Sequence, residues 1–276
     1  RPLGEALHRK TMELFRQYMI VGGMPQAVES YVKERDFDKV DHLKRNILKI
    51  YRSDISKYAA GHEQKVVRVF DAIPSQLQKH EKRFRIGTLG KGARTRDYAN
   101  AFFWLEESRV VNVCYAATEP NVGLQLSRDD ARMKLYMADT GLLIAMAFNE
   151  KDIQQGQLYR KLMFDKLEVN KGMLVENMVA QMLRSAGNEL FFYSKSSNEN
   201  ADRMEIDFLV RKPSVTSRHN ISPIEVKSSA RYKLASLNKC IRKYGAYLST
   251  PYVLHSGDLM QKEGITYLPL YMAPCL

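Results

Sequence analysis

Cysteine is scarce in this sequence. Cys114, Cys240 and Cys275 are its only three in 276 residues, and none forms a Cys-x-x-Cys pair. That excludes a disulfide scaffold and a cysteine-built zinc site. All three are expected as packing residues in a reducing, cytoplasmic setting. The six histidines are scattered singly, which also argues against zinc. No apolar run approaches the ~18 residues of a membrane span. The longest lies near Gly141 to Phe148, so no membrane partner is expected. The N-terminus carries no signal-peptide pattern, and it opens on Arg, so a piece of a longer protein is expected.

A phosphate loop is missing as well. "GTLGKGAR" places only two residues between Gly87 and Gly90, and Gly92 follows Lys91. A Walker loop needs four residues there and Ser or Thr after the Lys. The Gly22-Gly23 pair has no Lys-Ser or Lys-Thr after it and reads as a turn. ATP binding is therefore assigned to no residue here, and no ATP hydrolysis is expected from this chain.

What is present is an ordinary globular composition, 45% hydrophobic and 27% charged, with a net charge of +12. The length suits two or three domains. The basic surplus points to an anionic partner, most often nucleic acid. It gathers in two regions. One holds Lys79, Lys82, Arg83, Arg85, Lys91, Arg94 and Arg96. The other holds Arg211, Lys212, Arg218, Arg231, Lys233, Arg242 and Lys243.

The chain reads as three segments. Residues 1–62 are helical. "LHRKTMELFRQYM" puts Leu7, Met12, Phe15, Tyr18 and Met19 at helical spacing. Gly22 and Gly23 stop that helix and Pro25 opens the next. "VDHLKRNILKIYRSDISKYA" is a further amphipathic helix ending near Gly61, with Arg52 and Asp54 as a solvated pair. In residues 63–148, "KVVRVFDAIPSQL" is a helix broken or ended near Pro74. A Gly-rich turn and a helix with Tyr98, Ala101, Phe102 and Leu105 on one face come next. "RVVNVCYAA" and "MKLYMAD" are the strands that follow. Helix, turn, helix and hairpin is the order of a winged helix. Lys91, Arg94 and Arg96 then stand at the start of the helix that would enter a DNA major groove. Winged helices also serve as protein-interaction modules. Residues 149–276 give a helix, "GMLVENMVAQMLRSAG", with Leu174, Met178, Met182 and Leu183 inward and Gly187 at its end. The strands "NELFFYSK", "MEIDFLVRK", "SPIEVKSS" and "TPYVLHS" follow, with the helix "LASLNKCIRKYGA" before the last. The expected fold class is α/β with a mixed sheet.

In "MEIDFLVRK", Ile206, Phe208 and Val210 share one face and Asp207 takes the other. In "PIEVKSS", Ile224 and Val226 alternate with Glu225 and Lys227. If the two strands pair, Asp207, Glu225 and Lys227 come together. Neighbouring carboxylates repel unless a proton or cation lies between them. Mg²⁺ meets that need, because it takes carboxylate oxygens and keeps waters for a phosphate substrate. Lys227 can then stabilise developing negative charge, and Glu176, on the preceding helix, is a third acid. The plain alternative is a salt bridge on a solvent-facing sheet.

An acid on a helix, Asp on a strand and Glu-x-Lys on the next resembles the PD-(D/E)xK nuclease superfamily, with its restriction-endonuclease-like fold. The matching positions are Glu176, Asp207, Glu225, Val226 and Lys227. The resemblance implies metal binding by Asp207, Glu225 and the Val226 carbonyl, and catalysis by Lys227. A wider resemblance spans "GGMPQAV", "YRSDISKY", "IPSQL", "GARTRDYANAFFWLEESRVV", "KLYMADTGLL", "LVEN", "EIDFLV" and "PIEVKSS". In that order they look like the C-terminal half of predicted AAA+ family ATPases, in which a P-loop domain precedes a winged helix and a nuclease-like end. The resemblance implies an ATPase domain N-terminal to this chain, to whose lid the first helices belong. Three functions follow as expectations: a metal-dependent nuclease targeted by the winged helix, a non-catalytic DNA-binding regulator, or a protein-interaction platform.

Overall fold

The structure is a computed structural model. It describes residues 1–79, 81–120, 123–148, 159, 161, 163, 171–197, 199, 202–211 and 220–276. Lys212, Arg218 and the segment boundary expected at residue 149 lie outside the described residues. The chain is α/β, with N-terminal helices and a mixed sheet in its C-terminal part. It divides into two compact units: Glu13–Val113 with Leu135–Gln181, and Arg1–Met12 with Cys114–Lys134 and Met182–Leu276.

The first of these units is helical. Helix α1 (Glu5–Val21) stops at Gly22, whose φ of 84° a side chain would resist. Met12, Phe15 and Met19 are buried as expected, but Leu7 and Tyr18 are 53% and 41% exposed. The inward stripe is thus narrower than the run of apolar residues. Helix α2 (Pro25–Glu34) opens on Pro25, where a missing N–H costs nothing. Helix α3 (Phe37–Tyr58) is capped by Asp36, which accepts from the N–H groups of Asp38 and Lys39. Helix α4 (Glu63–Leu77) runs through Pro74 rather than ending there. Pro74 lies in the last turn, and the N–H of Gln78 returns to its carbonyl, so only one hydrogen bond is lost. Two 3-10 turns, Ile86–Leu89 and Thr95–Tyr98, lead into α5 (Ala99–Glu107). Tyr98, Ala101, Phe102 and Leu105 are buried, as the spacing predicts.

Helix α6 (Thr140–Ala147) interlocks with the end of α1. Asp139 caps α6 through Leu142 N–H at 2.8 Å and accepts the N–H of Gly23 at 2.5 Å. Gly141 lies so close to the chain at Val21 and Gly22 that a Cβ there would sit 2.6 Å from the Val21 carbonyl. Lys44 is buried beside this junction and donates to Ile20 O at 3.0 Å. Burial pulls its ammonium down to about 8. Helix α7 (Lys171–Ser185) buries Leu174, Met178, Met182 and Leu183, and Gly187 follows it at a φ of 90°.

The second unit carries most of the sheet. The strands are β1 (Val111–Ala117), β2 (Arg128–Met137), β3 (Leu190–Lys195), β4 (Met204–Arg211), β5 (Ile221–Val226), β6 (Tyr252–His255), β7 (Met260–Lys262) and β8 (Ile265–Pro269). They lie in the order β2-β1-β3-β4-β5-β6-β8-β7. Pairing is parallel for β1–β3, β5–β6 and β6–β8, and antiparallel for β3–β4, β4–β5 and β7–β8. The two strands read from sequence as a hairpin, β1 and β2, thus stand at one edge of this sheet. Helix α8 (Ala235–Tyr244) packs Leu237 and Cys240 into one core with Ile206, Leu209, Ile221 and Val253. Cys114 and Cys240 are buried as expected, whereas Cys275 is exposed.

Candidate functional site

A bulge in β4 builds the site. Phe191 pairs with Leu209 and Tyr193 with Ile206, so Phe192 alone opposes two residues of β4, Asp207 and Phe208. Such an extra residue breaks the alternation and re-aims a side chain. The expectation that Ile206, Phe208 and Val210 share one face therefore fails here: Ile206 joins Leu209 in the core under α8. The registered pairing of β4 with β5 ends at Phe208 and Ile224. Just beyond, the Asp207 side chain does what a ladder carbonyl would have done. Its Oδ2 accepts the Val226 N–H at 2.8 Å.

Strand β5 supplies the other members. The Lys227 N–H donates to Leu254 O of β6 at 2.8 Å, which fixes the backbone at the end of the strand. The Lys227 ammonium donates to Glu225 Oε1 at 2.6 Å. Two positions apart, these side chains share a face, as the alternation predicts. The face is not open to solvent, however. Glu225 is 6% exposed, and every residue from Ile221 to Glu225 is buried. Cys240 of α8 registers the charge beneath it: burial first, then the negative Glu225, push its thiol up to about 12. That thiol stays protonated and is no nucleophile.

Asp207, Glu225, Val226 and Lys227 are therefore brought together. Glu176 belongs to the helical unit, where Tyr136 Oη donates to its Oε1 at 2.5 Å and Lys82 pairs with its Oε2. Lys91, Arg94 and Arg96 are exposed on the turns that lead into α5, with Arg96 Nε 3.8 Å from Asp97. Arg52 pairs with Asp71 of α4 at 2.8 Å instead of standing with Asp54.

Two features escaped the sequence reading. Lys134, a single charge in the apolar run of β2, is buried and pairs with Glu205 at 2.9 Å over the Phe192 ring. Its isolation in that run was the available signal. His255, at the end of β6, is buried with Nε2 3.3 Å from the Asp258 carbonyl and Nδ1 3.0 Å from Tyr232 Oη. A carbonyl only accepts, so Nε2 carries the proton and Tyr232 donates to Nδ1. Burial lowers the pKa of His255, which favours this neutral form.

Among the described residues, no group of three or more His, Cys, Asp or Glu is arranged to hold a metal ion. Two carboxylates and a main-chain oxygen remain a fitting donor set for Mg²⁺, which is held by one or two carboxylates and fills its shell with water and phosphate oxygens.

Residues 12–153, just over half of the chain, match the family described as "Domain of unknown function (DUF8612)". The chain belongs to that family. Residues 171–272 match a second, "Domain of unknown function (DUF4143)", which takes in β3 to β8 and every residue of the bulge site. No curated protein and no solved structure matches the chain. Among the described residues, no helix is long and apolar enough to cross a membrane.

Proposed function

We propose that this chain is a nucleic-acid-binding region whose sheet carries a Mg²⁺-dependent site for phosphodiester hydrolysis. One observation carries the reading. At the point where β4 and β5 cease to pair, the bulge turns Asp207 onto Val226 N–H beside the Glu225–Lys227 pair. Asp207, Glu225 and the Val226 carbonyl would hold the metal. Bound there, Mg²⁺ would polarise a phosphate oxygen and lower the pKa of a water. Lys227 would leave Glu225 for the charge that develops on the phosphate, a contact worth about 10²–10³ in rate by analogy with oxyanion donors. Lys91, Arg94 and Arg96 would hold the backbone of the nucleic acid, taken as DNA, at the start of α5.

The DUF4143 match and the resemblance to the C-terminal half of predicted AAA+ ATPases support an association with an ATPase domain. The three separate, unbridged cysteines are what supports a reducing, cytoplasmic setting. A second reading has its own support. Asp207 already serves a backbone N–H, and Lys227 already neutralises a buried Glu225. A sheet that keeps these residues for its own stability would be a non-catalytic regulator of the ATPase.

The test is incubation with single-stranded DNA, double-stranded DNA and RNA in Mg²⁺ or Mn²⁺, beside Asp207→Ala and Lys227→Ala. Cleavage that both substitutions abolish while binding persists supports the first reading. Binding without cleavage on any substrate supports the second. Cleavage that survives Asp207→Ala removes the site from consideration.

A further inference from the structure

The helical unit contains a cavity of about 330 Å³ that the bulge site does not involve. Five polar side chains of α3 line it: His42, Arg45, Asn46, Lys49 and Arg52. At 100° per residue they fall within an arc of about 120°, so the cavity is faced by one stripe of that helix. Ala145 and Met146 of α6 add an apolar side. No carboxylate and no Phe, Tyr or Trp is among the described lining residues.

The two guanidiniums are held before any ligand arrives. Arg45 Nε donates to Asp41 Oδ2 at 2.7 Å and Nη2 to the Phe148 carbonyl at 3.0 Å. Arg52 gives Nε and Nη2 to Asp71 Oδ1, at 3.3 and 2.8 Å, and lies 5.6 Å from the centre of the Phe70 ring. Asp41 and Asp71 fix these groups, and neither is among the described lining residues. Lys49 is exposed and makes no ion pair among the described residues. Three cations, an amide and an imidazole thus line one small volume. The volume is at the low end for ligand sites.

We propose that this cavity binds a compact polyphosphate, a di- or triphosphate group, recognised by its charge and oxygens. A single carboxylate would engage one of the three cations, whereas a di- or triphosphate spans them, and guanidinium forks pair with phosphate oxygens in two-point contacts. With no Phe, Tyr or Trp ring among the described lining residues, a nucleobase attached to the phosphates would gain little by stacking on them. The site does not depend on the proposed hydrolytic activity.

The test is titration calorimetry on the intact chain at fixed ionic strength, with tripolyphosphate, pyrophosphate, orthophosphate and citrate. One-to-one binding is expected, tightest for tripolyphosphate and weakest for orthophosphate. Lys49→Glu and Arg52→Gln should each weaken tripolyphosphate binding about 10- to 100-fold. Lys10→Glu makes the same charge change as Lys49→Glu on an exposed part of α1 and should leave the affinity unchanged. Thermal melting of each variant checks that it folds. A short single-stranded oligonucleotide, added as competitor, separates the two sources of phosphate. Displacement assigns the cavity to a nucleic-acid backbone, and persistence to a free polyphosphate. Citrate binding as tightly as tripolyphosphate would overturn the proposal. So would an equal loss in Lys10→Glu, or no loss in either cavity variant.

Discussion

Substituting Gly141 by alanine tests the packing logic of the helical unit. The added methyl would stand 2.6 Å from the Val21 carbonyl and 2.8 Å from both Cα and N of Gly22. All three are main-chain atoms, so no side chain can swing aside. Either α6 or the end of α1 must move. Overpacking of this kind costs about 1–3 kcal/mol. Movement would also stretch the Asp139 contacts to Leu142 and Gly23, and loss of a helix cap adds about 1 kcal/mol. The expected loss is therefore about 2–4 kcal/mol. Gly187→Ala is the control. Its φ is 90°, but nothing lies within 4 Å of the new methyl, so only backbone strain of about 1–2 kcal/mol is expected. Urea unfolding followed by circular dichroism reads both. Gly141→Ala losing less than Gly187→Ala would refute the close approach as the reason for glycine at that position.

Lys44 should give the chain a pH signature. Its pKa falls from 10.5 unfolded to about 8 folded. Between those values the unfolded state binds more protons, so stability rises with pH across that window, and the burial cost is fully present below it. Against Lys44→Met, which lacks the titration, the gain from pH 7 to above 10 should be about 3 kcal/mol; a pH-independent difference in urea midpoints would rule it out. For the Glu225–Lys227 pair, Glu225→Gln alone should cost about 3–5 kcal/mol, because it strands a mostly buried ammonium. Adding Lys227→Met should recover part of that loss, and a strictly additive double-mutant cycle would mean that the pair is not coupled. Nucleic-acid affinity should fall about a thousandfold between 50 and 200 mM salt if six phosphates are neutralised. Gel-shift titrations should show Lys91→Gln, Arg94→Gln and Arg96→Gln together flattening that slope; an unchanged slope would move the contact surface elsewhere.

Much of the fold could be read from local pattern. The spacing of Tyr98, Ala101, Phe102 and Leu105 fixed the buried face of α5, and Leu174 to Leu183 did the same for α7. That Asp207 would meet the end of β5 was legible only on the condition that the two strands pair, which they do. The bulge was not. It arises from a mismatch of count between β3 and β4, a relation between two segments that neither displays alone. Nor does "PIEVKSS" reveal that α8 covers Glu225, because alternation says which side chains share a face and not what lies over it. Strands β7 and β8 escaped because they are short and bounded by Gly264 and Pro269. The cationic lining of the α3 cavity escaped for the converse reason. Charges at helical spacing look the same whether they stand on a flat surface or line a half-open pocket.

The order of the sheet has a consequence for solubility. Its outermost strands are β2 and β7. Strand β2 begins Arg128-Asp129-Asp130, and β7 is a three-residue strand, exposed throughout, that ends on Lys262. Charge at one margin and brevity at the other are the devices by which sheets discourage edge-to-edge addition of further strands. The apolar strands that house Asp207 and Glu225 lie well inside those margins. The segments with most to lose from aggregation are thus shielded from a second copy of the chain while the folded state persists.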